Sequence, residues 1–217
     1  MKNINIHVLT NDPVLQPHKK IIFDTAHKAI RVISKYIPVS DVDIVIEHDL
    51  EFGEMSGETH GKYGINIRLN AQSKQFQKHL YMNFLRTLAH ELYHTTHAQK
   101  VKDGTVLLDE FIEEGLASHF EAEITGAGYS NSFAWLSAVE LKRVLKKAKK
   151  EFFFKEYSYD DWFYGSKEKK IPQSAGYNIG YFLIMNLLRI NPELKPSKLI
   201  LENRKYVATR VVKSFDL

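Results

Sequence analysis

LYMNFLRTLAHELYHTTHAQK, residues Leu80–Lys100, is the stretch whose reading decides the fold. Apolar side chains recur at Leu80, Phe84, Leu85, Leu88, Ala89, Leu92 and Tyr93. That three-and-four spacing predicts a helix buried on one side. No Pro or Gly interrupts it. Residues four apart on a helix stand one above the other. His90 and His94 therefore present two imidazoles on one face, close enough to share an ion. Glu91 follows the first of them and is within reach of a water on that ion.

Two neutral nitrogens with a neighbouring carboxylate form the HExxH pattern of zinc hydrolases, two ligands and a base. Taken alone, these five residues also fit a helix carrying two hydrogen-bonded histidines. The stretch Asp109–Glu123, DEFIEEGLASHFEAE, adds to the reading. Leu108, Phe111, Ile112, Gly115, Leu116 and Phe120 form a second helical stripe, with Glu110, Glu114 and Glu121 projecting elsewhere. A catalytic zinc takes three protein ligands and keeps one position for water. Glu114 follows His94 after nineteen intervening residues, enough for a turn and a second helix packed on the first. Gly115 beside it lets two helices approach closely. His90, His94 and Glu114 are the expected zinc ligands, and Glu91 the expected general base.

HExxH followed by Glu113-Glu114-Gly115-Leu116-Ala117 resembles the gluzincin zinc peptidases, the clan of thermolysin and the aminopeptidase N-like enzymes. The chain is more closely similar to a small family of predicted zinc-dependent proteases with HEL-x-H, EGLA and a later GY-x-x-GY, here Gly176 to Tyr181. The likeness covers roughly residues 60 to 190. It implies a zinc-dependent hydrolase of peptide bonds acting on a peptide or protein substrate. It also implies an oxyanion-binding tyrosine, Tyr177 first and Tyr181 second; the competing role for both is packing on a core helix. The implied fold class is α+β and zincin-like. A small mixed sheet on the N-terminal side packs on the HExxH helix, and a mostly helical part follows. One domain is expected over residues 1–217, with an α/β part to about 100 and a helical part beyond.

The composition is globular: 217 residues, 44% hydrophobic and 12% aromatic. The absence of cysteine excludes disulfides, thiol nucleophiles and cysteine-ligated metals. The start, MKNINIHVLTNDPVLQ, lacks the apolar run of a secretory signal, and no membrane span is expected, so the expected location is cytoplasmic. A net charge of +4 does not by itself point to nucleic acid. The six Lys and Arg between Lys142 and Lys150 read as a solvated basic helix end, with an anionic docking patch as the alternative.

Alternation predicts strands over 3–10, 41–48 and 63–70. Helices are expected over 18–37, 131–153 and 174–190, with a short terminal one over 196–206. Residues 51–61, with three glycines, read as a flexible loop in which His60 is an ordinary loop histidine. By the resemblance, the 63–70 strand is either the rim on which an extended substrate pairs or an ordinary sheet strand. His27 reads as a surface histidine, and His97 as lying outside the ligand set. Ser118 and Glu121 are candidates for orienting a ligand imidazole, with solvation the preferred reading for Glu121. The aromatic 157–170 stretch reads as a loop lining the cleft or a cover over the core. Two rival functions stand beside the peptidase: a non-catalytic binding or regulatory protein with a peptidase-like zinc fold, and a nucleic-acid-associated factor.

Overall fold

The computed structural model describes residues 3–51, 53–101, 106–126 and 134–215. The chain divides into two compact units, 1–100 with 120–128, and 101–119 with 129–217.

The first unit is built on four strands: β1 (Ile4–Val8), β2 (Val42–His48), β3 (Met55–His60) and β4 (Gly64–Leu69). Their order is β1-β2-β4-β3. β1, β2 and β4 run parallel, with Ile6 opposite Ile44 and Ile44 opposite Ile65. β3 runs antiparallel to β4, with Gly57 opposite Ile67. Strand side chains alternate between faces, so Val42, Ile44 and Ile46 on β2 and Ile65, Ile67 and Leu69 on β4 share the buried side. Each such side chain contributes roughly 1.5–3 kcal/mol when withdrawn from water.

Helix α1 (Lys19–Ile33) turns Ile22, Ala26, Ala29, Ile30 and Ile33 inward. It packs against α2 (Phe76–Lys100), which also packs against β3. α2 is held at both ends. The Glu54 carboxylate accepts from Asn83 Nδ2 at 2.9 Å and lies 3.0 Å from His79 Nδ1. At the other end, Gln99 Nε2 donates to the carbonyls of Ser40, Asp41 and Lys62 at 2.9–3.2 Å.

The sheet corrects one expectation and decides between two readings of another stretch. The 51–61 stretch is not simply a loop, because Met55–His60 forms β3. The strand over 63–70 is interior, paired on both sides, so it offers no rim; the outermost strand is β3.

The second unit holds most of α3 (Leu107–Thr125), together with α4 (Ala138–Ala148), α5 (Tyr159–Phe163), α6 (Ala175–Ile190), α7 (Pro196–Leu199) and α8 (Arg204–Ser214). The first N–H groups of a helix lack partners within it. In α3, those of Leu107 and Leu108 donate to the carbonyls of Phe154 and Phe152 at 3.2 and 3.0 Å. Phe111 sits among Phe152, Trp162 and Phe163, with ring centroids 5.5–6.1 Å apart. α3 meets α6 at Gly115 and Gly180, where main chains touch: a Cβ on Gly115 would collide with the Gly180 carbonyl, and one on Gly180 with that of Phe111.

α4 is shorter than the expected 131–153 helix. It begins at a capping box in which Ser137 Oγ accepts from Glu140 N–H and Glu140 Oε2 accepts from Ser137 N–H. Val139 is 80% exposed, and Val144 and Ala148 carry the contact. The first residues of that expected helix, 131–133, lie outside the described residues. The terminal 196–206 helix is two helices, α7 and α8, broken after Leu199.

Candidate metal centre

α2 places His90 and His94 with ring centroids 4.9 Å apart and planes crossed at 68°. Both are half-buried. Glu114 on α3 completes the set: one ligand atom from each residue lies within 4.8 Å of the other two. Ligands around a tetrahedral zinc at about 2.0–2.2 Å stand about 3.4 Å from one another, a spacing of the same order. Two imidazole nitrogens and one carboxylate oxygen also match the ligand chemistry zinc takes in hydrolases. The residues fit the ion.

Glu91 is almost fully buried, 7% exposed. Its neighbour across the sheet is β3. Thr59 Oγ1 donates to Glu91 Oε2 at 2.7 Å. Gly57 leaves room for the same side chain, since a Cβ there would lie 2.6 Å from Glu91 Cγ and 2.7 Å from Oε1. β3 thus fixes the carboxylate next to the first histidine. Thr59 and Gly57 were invisible to the sequence reading, which treated their segment as a loop. An alternating Met-x-Gly-x-Thr was the one available signal.

His97 is buried and lies parallel to Tyr93, and it is not in the ligand set found among the described residues. Glu121 is not solvated. Its carboxylate is buried and lies 3.2 Å from Arg86 Nε. Ser118 is also buried. Burial of an ionised carboxylate is costly without a partner, and Arg86 supplies one.

Around Glu114 the second unit arranges a row of phenols. Tyr159 O–H donates to Glu114 Oε1 at 3.2 Å. Burial, followed by the Glu114 charge and the neighbouring Tyr177, pushes the Tyr159 pKa well up. Tyr177, half-buried, meets Phe163 edge-on with centroids 5.0 Å apart. Tyr181 is elsewhere: it is buried, stacked on His119 at 4.1 Å and edge-on to Trp135 at 5.2 Å. One turn before the ligand, Glu110 accepts from Tyr157 O–H at 2.7 Å, and desolvation raises its pKa. Glu113 pairs with Arg204 Nη2 at 2.7 Å. The 157–170 stretch is therefore partly helical, and its Tyr159 belongs to the surroundings of the candidate ligand.

His119 carries a pH signature. Its Nε2–H donates to the Tyr181 carbonyl at 3.0 Å, and burial pushes its pKa down from 6.5 to about 4. The unfolded chain takes up this proton near pH 6.5, whereas the native state resists it until about pH 4. Stability is then complete above pH 6.5 and falls as pH drops towards 4, by on the order of 3 kcal/mol. Denaturant titrations of His119→Gln at pH 7 and pH 4.5 are expected to show a smaller loss than the unaltered protein. An equal loss would place the titration on other groups.

No helix among the described residues is long and apolar enough to cross a membrane. A comparison with curated proteins finds no match. A family model does match over residues 24–207, most of the chain and the whole of the ligand set. With that match, the chain belongs to the family described as predicted Zn-dependent protease (DUF2268).

Proposed function

We propose that the protein is a zinc-dependent peptidase of the gluzincin type, hydrolysing peptide bonds in a peptide or protein substrate. The observation that carries this reading is the convergence of His90, His94 and Glu114, with Glu91 adjacent and held by Thr59. A zinc ion held by His90, His94 and Glu114 would polarise the scissile carbonyl and lower the pKa of a bound water to about 7. Glu91 accepts a proton from the attacking water and passes it to the leaving amine. The Thr59 hydrogen bond orients that carboxylate. Tyr177 donates to the oxyanion that forms as the carbonyl becomes tetrahedral, help worth about 3 kcal/mol when preorganised. An extended substrate pairs along the outer side of β3, the last strand in the sheet order, by main-chain hydrogen bonds.

The test is metal content beside activity. The purified protein is expected to hold one zinc per chain by elemental analysis and to cleave members of a peptide library. His94→Ala is expected to lose both. Full zinc binding by His94→Ala would sink the ligand assignment. A stoichiometric metal with no cleavage across the library would favour a binding protein instead.

A further inference from the structure

We propose that Tyr159 is the positioning residue of this centre: its hydroxyl donates to Glu114 Oε1 and holds the carboxylate in place, so that Oε2 would be the oxygen left to bind an ion. The inference rests on the metal-centre reading above, and it adds a residue that neither the HExxH helix nor the EGLA segment contains.

A carboxylate only accepts hydrogen bonds, and a phenol has one proton to give. The 3.2 Å contact between Tyr159 and Glu114 therefore commits the Tyr159 proton to Oε1. With one oxygen taken by a neutral donor, Glu114 presents the other, Oε2, which is withdrawn from solvent. Partners of this kind orient metal ligands, and their removal typically costs about 10- to 100-fold in metal affinity.

The aim of the hydroxyl does not depend on the hydrogen bond itself. The Tyr159 ring stacks on Phe163 with centroids 4.1 Å apart and planes within 12°. Phe163 is almost wholly buried, and Gly176 has no side chain because a Cβ there would lie 2.6 Å from the Phe163 ring. Ser158 caps the short helix by accepting from Asp161 N–H at 3.2 Å. The ring is thus set by packing and capping, so Tyr159→Phe removes the hydroxyl and leaves the scaffold. One turn earlier, the Tyr157–Glu110 pair repeats the chemistry at a carboxylate outside the ligand set, which makes Tyr157→Phe a matched control.

The experiment measures zinc affinity by chelator competition and the visible spectrum of the cobalt-substituted protein, for the unaltered chain, Tyr159→Phe and Tyr157→Phe. Circular dichroism and thermal melting accompany both, so that a folding defect is seen directly. Tyr159→Phe is expected to weaken zinc binding about 10- to 100-fold and to shift the cobalt spectrum. Tyr157→Phe is expected to do neither. If Tyr159→Phe keeps the affinity and spectrum of the unaltered chain, or if Tyr157→Phe lowers affinity equally, the role of Tyr159 is refuted while the metal centre stands. If the unaltered chain takes up neither zinc nor cobalt, the metal centre fails and this role goes with it.

Discussion

Glu91→Gln is expected to leave zinc content unchanged and to lower peptide hydrolysis by about 10²–10⁴-fold, the range a positioned general base contributes. The substitution suits the site. Glutamine has the same length and branching, so it fits the space that Gly57 leaves beside Glu91. Its carbonyl oxygen still accepts from Thr59 Oγ1, so the side chain keeps its orientation. What disappears is the capacity to take a proton. The deficit should therefore fall on kcat, with KM little changed, because Glu91 contributes to the transition state rather than to substrate binding. Elemental analysis and steady-state assays on one cleaved peptide decide the matter. Undiminished turnover would remove Glu91 from the chemistry.

The second large effect is on stability. Gly115→Ala is expected to lower the melting temperature. On an exposed helix this change stabilises by up to about 1 kcal/mol, because alanine is the better helix former. Here the new methyl meets the main chain of Gly180, which cannot swing aside as a flexible side chain would. Overpacking of this kind costs about 1–3 kcal/mol, and contact with backbone places it at the upper end. The clash wins by about 2 kcal/mol, and at roughly 2–4 °C per kcal/mol for a chain of this size the shift is roughly 4–8 °C. Thermal unfolding followed by circular dichroism measures it. A rise in melting temperature would mean that α3 and α6 do not meet at their glycines.

What was legible in the sequence was whatever repeats. The four-residue step from His90 to His94 and the stripe around Glu114 are local patterns, and both lie on long helices as read. The alternation in INIHV, VDIVIEH and GINIRL marked three strands for the same reason. MSGETH has no apolar alternation and carries a glycine, which weakens strand propensity. It is a strand because β4 offers it an edge and α2 a surface, both tertiary facts. Tyr159 was hidden similarly: its value lies in reaching Glu114, forty-five positions earlier. The 131–153 expectation failed for a local reason. Ser137 and Glu140 spell a helix start inside the expected span, and a capping box there sets the true beginning of α4.

The outer margin of β3 bears on what the enzyme proposed here would accept. A chain laid along that strand is read by its amide groups, which recur at alternate positions whatever the side chains are. Proline has no amide hydrogen, and N-methylated residues share the deficit. Such residues interrupt the ladder wherever they fall on a bonded position. The predicted preference is therefore for unfolded, proline-poor segments of many sequences, with discrimination by main-chain continuity ahead of side-chain identity.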